Sequence, residues 1–387
     1  MGKIILALIC LFFTAVGVFA LAVAFTDVFV KFRRRKNKRR IVGFRDINSW
    51  KQALLGCAKG WSKKMPTVPL TDNSRFVLLD MLKKQYKHSS VQGWQYAQLL
   101  YGLKAAEPDF VPGSINDFSI SEIDEGFLIY KLRKAGFLND AQVEEKMQAY
   151  LPLLSSKTRE NGLVEYRKGY GDICLVDTLA FVCPLMFSYG VQKKDERLIK
   201  NAFLQIESYH NSAYIKEFGL YAHGYDSVKK TPCESIGWGR GTGWYLFGIL
   251  DSYNELTADY EEKKLLLEYI KEALENIVSF RREDGGWSTQ LVSKSNYDSS
   301  ATAMFALFIL KASVLLNVWD DYRDIVLGAI KKLMSVTTPD GQLEYCEGDC
   351  HGIGRYSKLY SVSPFAQGAA LELISAYEKA MEQDNNG

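Results

Sequence analysis

Histidine is scarce in this chain. Only His88, His210, His223 and His351 occur in 387 residues, too few and too scattered for a paired-imidazole centre or a histidine-rich metal site. Cysteine offers no framework either. There are seven, an odd number, with Cys10 inside an apolar N-terminal run and Cys57, Cys174 and Cys183 in apolar helical settings where free thiols commonly pack. Cys346, Cys350 and His351 form a CxxxCH cluster, but no second ligand pair lies at a suitable spacing, so no metal site is expected. A dominant charge is also missing. The formal net charge is +3, yet residues 1–40 hold nine Lys or Arg and one acid, Asp27. Without them the 48 basic and 45 acidic residues become 39 and 44, a net of −5. No nucleic-acid partner is expected for such a body. Strand signals are few as well.

What is present begins at the N-terminus. Ile4 to Phe25 is almost continuously apolar and long enough to span a bilayer. AVGVFALAVA within it offers small residues for signal cleavage. Against cleavage stands KFRRRKNKRR, which begins at Lys31 and is opposed only by Lys3 and the amino terminus. The positive-inside bias predicts a retained anchor, with its amino end outside, the body in the cytoplasm and the basic run against anionic headgroups. The expected organisation is an anchor over residues 1–30, a basic juxtamembrane linker over 31–44 and one large domain over 45–387. An apolar content of 47% is enough for a large core.

Apolar-periodic segments recur along that domain between Gly, Pro, Asn and Asp. They predict helices near 45–60, 72–86, 92–104, 119–136, 140–155, 174–190, 194–209, 237–257, 260–280, 297–316, 319–335 and 363–382. Links after even-numbered helices are short, such as Phe137–Asp140. Links after odd-numbered ones are long: 105–118, 156–173, 210–236, 281–296 and 336–362. If consecutive helices run antiparallel, every long link emerges at the same end. The expected fold is therefore all-α: a ring of six helical hairpins, an α/α barrel with one elaborated rim, preceded by a single transmembrane helix. Elaborated loops on a rigid scaffold are where sites usually sit.

Two stretches carry candidate chemistry. ICLVDTLAFVCPLMFSYG, from Ile173 to Gly190, reads as a buried helix with one carboxylate, Asp177, near its start. A carboxylate among apolar groups is costly unless paired, hydrogen-bonded or protonated. Such a group can give and retrieve a proton, or it can simply favour a helix dipole. The second stretch centres on Trp238-Gly239-Arg240-Gly241-Thr242-Gly243-Trp244. Tryptophan faces beside a forked cation suit an acidic sugar. The same residues suit a glycine-facilitated helix crossing with a structural arginine. WGRGTG is not a phosphate loop, since it lacks the Lys-Ser/Thr ending and follows no strand.

These stretches resemble the motifs of unsaturated uronyl hydrolases, the family 105 and related family 88 glycoside hydrolases. LVDTLAFVCPLMFSYG matches VDxLxMxxPFLAxYG in register at Asp177, Leu179, Pro184, Tyr189 and Gly190. GLYAHGYD followed by GWGRGTGWYLFGILDSYNEL is similar to HxWD…FWxRxxGWxxxALxDxLE, and the block from Asp284 is similar to GxWxQ…NYxExSxSAMFxYALxK. The resemblance covers roughly residues 90–320 and weakens beyond, where YCEGDCHGIGRYSKLYSVSPFAQG keeps a Gly-rich helix entrance without the family's Asp-containing form. It implies Asp177 as the catalytic acid and base, Asp124 (with Glu122 as rival) as a second functional acid, and no cofactor. It also implies His223, Trp238, Arg240, Trp244 and Arg167 as substrate-binding residues. Departures are Phe181 in place of a frequent Met and Tyr166 in place of a His found in some members.

The implied reaction is hydration of the C4=C5 double bond of a terminal unsaturated glucuronyl or galacturonyl residue, which releases that residue from an oligosaccharide. Two alternatives remain beside it: a membrane-tethered glycan-binding barrel without catalysis, and a different α/α-barrel carbohydrate enzyme. An epimerase of that class would show paired histidines on the rim.

Overall fold

The computed structural model describes residues 1–66, 68–69, 88–89, 93–113, 115, 118–293, 296–350, 356–357 and 359–386. In chain order the helices are α1 (Gly2–Arg39), α2 (Ile47–Lys63), α3 (Gly93–Ala106), α4 (Glu125–Lys134) and α5 (Asp140–Lys157). They continue as α6 (Asp177–Phe181), α7 (Cys183–Lys193), α8 (Glu196–Ala213), α9 (Gly239–Glu255) and α10 (Glu261–Ser279). Last come α11 (Ser299–Leu315), α12 (Trp319–Ser335) and α13 (Pro364–Asn386). Among the described residues eight short strands lie in the links: β1 (Val68–Pro69), β2 (His88–Ser89), β3 (Ile173–Leu175), β4 (Tyr214–Ile215), β5 (Leu220–Asp226), β6 (Thr231–Ile236), β7 (Cys346–Glu347) and β8 (Tyr360–Ser361).

Six of the helices close a ring. α3 packs on α4, α4 on α7, α7 on α9, α9 on α11, α11 on α13, and α13 returns to α3. Long stretches of these helices are buried on all sides, as from Ser299 to Leu310 on α11, which marks an inner wall. The outer layer is amphipathic. α2 buries Trp50, Leu54, Leu55, Ala58 and Trp61 along one face, and α5, α8, α10 and α12 back their inner neighbours. Ring closure depends on glycine. A Cβ on Gly102 of α3 would collide with the Gly368 backbone of α13, and a Cβ on Gly368 would collide with the Gln98 carbonyl. Their absence lets the first and last inner helices touch backbone to backbone.

Short turns follow the inner helices, and long links lead from each outer helix back to an inner one. The N-termini of the inner helices therefore open at the elaborated end, as the link lengths imply. Three details depart from the expected pattern. α3 and α4 are both inner, joined by the 107–124 link, so the described residues supply five outer helices; the helix predicted over 72–86 lies outside them. The helix predicted over 174–190 is broken at Val182 into α6 and α7. Pro184 has no N–H for the Ala180 carbonyl and its ring crowds that oxygen. The 210–236 link, expected as loop, folds into strands: β5 pairs antiparallel with β3, β4 and β6.

Below the mouth the barrel is filled by charge. Lys131 of α4 lies 2.8 Å from Asp251 of α9, Lys311 of α11 pairs with Glu372 of α13, and Gln98 of α3 donates to Glu372 at 2.7 Å. Outside the barrel, α1 includes one segment, Gly2–Thr26, long and apolar enough to cross a membrane by length and composition. The helix does not stop at residue 30. It continues through the basic run to Arg39, so that run is helical where a linker was expected.

Candidate active site at the barrel mouth

Strand register brings the first pair together. Leu175 of β3 pairs with Gly224 of β5, and the Val176 N–H donates to the His223 carbonyl at 2.9 Å. The next residue, Asp177, starts α6, and its Oδ2 meets His223 Nε2 at 3.1 Å. His223 is 3% exposed, while the Asp177 side chain keeps 17% exposure. The other imidazole nitrogen, Nδ1, lies 2.8 Å from Tyr356 Oη, and the His223 ring sits 4.6 Å from that of Trp238. Asp177 is thus not isolated among apolar groups, as its sequence neighbours imply. It has a polar partner that only the sheet supplies.

A second carboxylate faces the same space. Asp124 stands at the N-cap of α4, and its Oδ2 accepts from Arg167 Nη2 at 2.6 Å; its side chain also hydrogen-bonds to that of Tyr166. Asp124 Oδ1 and Arg167 Nη1 are buried without a hydrogen-bond partner. Glu122, the rival acid, is 57% exposed and 3.8 Å from Arg167 Nη1. Burial, reinforced by the charges of Asp124 and Asp177, pushes the Tyr166 phenol well above its ordinary value, so it stays a neutral donor. Burial works against charge on Arg167, but Tyr166, Asp124 and Asp177 outweigh it and hold the guanidinium protonated.

Arg240 sits differently from what its motif suggests. Its Nη1 donates to the Glu347 carbonyl at 2.6 Å and its Nη2 to the Gly348 carbonyl at 2.5 Å. Trp238 Nε1 donates to the buried Glu347 carboxylate at 2.8 Å, and the Glu347 N–H donates to Asp298 at 3.0 Å. The arginine fork therefore clamps the 346–350 segment to the rim, where the sequence motif had pointed to a ligand carboxylate. Trp244 lies deeper. It is 2% exposed and packs edge-on against Phe181 at 4.9 Å and Trp94 at 5.6 Å, forming the floor of the mouth.

Together these groups line a cavity of about 400 Å³ whose walls include Asp124, Arg167, Asp177, His223, Trp238, Arg240 and Trp244. All seven residues singled out in the sequence meet there. Sequence reasoning missed Trp94, Lys168, Tyr170 and Asp349, which line the cavity together with Cys350 of the CxxxCH cluster, and Tyr356 behind His223. Tyr166, noted only as a departure, lines it too. The signal for most of them lay in the long links, whose side chains have no periodicity to read. Of the CxxxCH cluster, Cys346 is buried with its thiol on the Leu343 carbonyl, and His351 lies outside the described residues. Among the described residues no group of three or more His, Cys, Asp or Glu is placed to hold a metal. His210 belongs to the outer layer, stacked on Tyr269 at 3.8 Å, and burial lowers it to about 4.

An inner ring of six helices with acids, arginines and indoles at its N-terminal rim defines a carbohydrate-type α/α barrel. Residues 81–381 match the family described as Glycosyl Hydrolase Family 88, and the chain belongs to that family. A curated relative, the unsaturated 3S-rhamnoglycuronyl hydrolase of Formosa agariphila, is 28% identical over 150 residues, 36% of this chain; the match spans only 40% of that relative. Among solved structures, a possible family 105 member from Klebsiella pneumoniae superposes with a TM-score of 0.65 at 18% identity, covering 74% of this chain and 82% of its own. The unsaturated glucuronyl hydrolase of Bacillus sp. GL1 gives 0.61 at 18% identity, with 84% and 96% covered. At such identities the likeness concerns the fold.

Proposed function

We propose that the protein hydrates the C4=C5 double bond of a terminal unsaturated uronic acid and so releases it from an oligosaccharide. The observation that carries this reading is the Asp177–His223 contact of 3.1 Å at the wall of a cavity that also holds the Arg167 cation. A C4=C5 uronide is a cyclic vinyl ether. Protonated Asp177 donates to C4, the π electrons form the new C–H bond, and positive charge develops at C5 shared with the ring oxygen. Water attacks C5 and gives its proton to the Asp177 carboxylate, restoring the acid. The hemiketal then opens and the neighbouring sugar leaves.

Arg167 holds the substrate carboxylate, its Nη1 making no hydrogen bond and lying 3.8 Å from the exposed Glu122, a role that the sequence also offered to Arg240, whose Nη1 and Nη2 donate to the Glu347 and Gly348 carbonyls. The inner-helix N-termini around the mouth add partial positive charge that favours an anionic sugar. Asp124 orients Arg167 and hydroxyl groups of the sugar, and Trp238 supplies a wall. The curated relative's printed activity, on an unsaturated uronyl sugar, is in keeping with this assignment. The test follows the conjugated ultraviolet absorbance of unsaturated glucuronyl and galacturonyl disaccharides incubated with the full chain in detergent. Loss of absorbance with equimolar release of the aglycone is expected; unchanged absorbance across the panel would end the proposal.

The proposed organisation is a retained anchor over 1–30, a basic segment over 31–44 and the catalytic body over 45–387, with the body on the cytoplasmic side. The density of Lys and Arg after the apolar stretch supports it. A reporter fused after Arg40 in a truncated chain is expected to be active only when read from the cytoplasm. Reporter activity on the outer face, or a mature chain that lacks residues 1–26, would reverse the assignment.

A further inference from the structure

The rim brings a phenol against the back of the His223 imidazole. Tyr356 Oη lies 2.8 Å from His223 Nδ1 and accepts the Ser235 backbone N–H at 3.3 Å, while Nε2 on the far side of the ring faces Asp177 Oδ2 at 3.1 Å. We infer that Tyr356, His223 and Asp177 form one proton relay, in which the tautomer of His223 is coupled to the proton of Asp177 and Tyr356 is the positioning residue that lets the ring adopt either tautomer. The catalytic meaning of the relay rests on the hydration reading above.

A neutral imidazole carries one N–H and one acceptor nitrogen. When Asp177 is a carboxylate it can only accept, so the ring proton sits on Nε2 and donates to Oδ2. Nδ1 is then an acceptor, and Tyr356 O–H donates to it. When Asp177 is protonated, Oδ2–H donates to Nε2, the ring proton sits on Nδ1, and Tyr356 Oη accepts it. A phenol suits both arrangements because its oxygen gives and takes. A carbonyl in its place would permit only the second.

Passing from the first state to the second moves three protons by one bond each. The Oη–H proton goes to Nδ1, Oη takes a proton from hydronium at the rim, and the Nε2–H proton goes to Oδ2. The net change is one solvent proton taken up and Asp177 neutralised, with the ring and the phenol both neutral again and no electrons transferred. No phenolate need form; burial pushes the Tyr356 hydroxyl up, which disfavours it. The path is open at one end, since Tyr356 is only partly buried whereas His223 is 3% exposed. The titratable groups around the relay are Asp124 on α4, Tyr166 and Arg167 on the 158–176 link, Tyr209 on α8, and Glu234 and Cys350 beside Tyr356. The hydrogen bonds of the ring nitrogens themselves run to Asp177 and Tyr356.

The experiment is a pH titration of the full chain, labelled with 15N in histidine and held in detergent, reading the His223 ring nitrogens; His223→Gln assigns the signals. The wild-type ring is expected to remain neutral while switching from Nε2–H to Nδ1–H as acid is added. In Tyr356→Phe the switch is lost, and kcat falls about ten-fold while KM stays within about two-fold. A wild-type ring that keeps one tautomer throughout, or passes directly to the doubly protonated form, overturns the relay; so does a Tyr356→Phe protein that still switches. The wild-type titration decides the matter alone if Tyr356→Phe does not fold. A switching ring in a protein inactive on every unsaturated uronide would remove the hydration reading and leave the coupling. An active protein with a ring that does not switch would remove the relay only.

Discussion

Asp177→Asn is expected to leave a folded protein that binds an unsaturated uronide yet turns it over at least about a thousand-fold more slowly. The amide has the size of the carboxyl, and its oxygen can still accept from His223 Nε2, now 3.1 Å from Oδ2. α6 begins at this residue without a side-chain cap hydrogen bond from Val176, so the helix start does not depend on the carboxylate. What the amide cannot do is lose or donate a proton in the working pH range. Both halves of the proposed reaction should fail together, because protonation of C4 and deprotonation of water are both assigned to this carboxyl group. Single-turnover loss of the conjugated absorbance measures the rate, and calorimetry with the same disaccharide measures binding. Activity within ten-fold of wild type would shift the acid role to Asp124, whose Oδ1 is buried and unpartnered beside the same cavity. In that case Asp124→Asn should show the large effect instead.

The second large effect lies far from the chemistry. Glu372→Ala is expected to cost about 3–5 kcal/mol of stability, the range for removing one partner from a buried ionic network. Glu372 is 3% exposed and Lys131 is 2% exposed. Glu372 pairs with Lys311 and accepts from Gln98 at 2.7 Å. Without the carboxylate, two ammonium groups face each other inside the barrel with Asp251 as the remaining acid. The pH dependence follows from the same contacts. Burial alone would raise Glu372, but Lys311 and Lys131 outweigh it and hold the carboxyl below its ordinary value. A depressed carboxyl contributes stability that is present above the ordinary range and is lost as pH falls through the folded value. Burial opposes charge on both lysines, yet Asp251 and Glu372 hold Lys131 above its ordinary value and Glu372 holds Lys311 above it. That contribution is present below the ordinary lysine value and is lost as pH rises through the raised one. The stability gap between wild type and Glu372→Ala should be full between about pH 4.3 and about 10.4 and narrow outside it. Denaturant titrations at several pH values measure it, and a gap below 1 kcal/mol at neutral pH would mean that water reaches the cluster.

Much of this protein is legible in its sequence, and for an identifiable reason. The inner and outer helices show because burial imposes a 3.6-residue period on α2 and near-continuous apolarity on α11. Link lengths show the elaborated end, since chain length is conserved whatever the packing. Asp177 and the Trp238–Trp244 segment stand out because they lie at or just before the start of inner helices, where the polar exception to an apolar run is visible. Other features were hidden. The break at Val182 was available from Pro184 but masked by the apolar run on both sides. Strands β3 and β5 pair residues about 50 positions apart in sequence, as at Leu175↔Gly224, while β5 and β6 pair closer ones, as at Ala222↔Ile236, and two of these strands carry no alternation to read.

Arg240 shows the limit most clearly. Its motif and neighbours are those of a ligand-binding arginine, and nothing local says that its fork closes on the Glu347 and Gly348 carbonyls. Where a side chain points is decided by what the distant chain brings to it. Local pattern alone determined the helical ring, its elaborated rim and the apolar N-terminal segment. Those are consequences of burial period and link length, and both are properties of short stretches. Tertiary structure alone decided that Asp177 is held by His223, that His223 is backed by Tyr356, and that Arg167 pairs with Asp124, because contacts between links depend on strand register and ring closure.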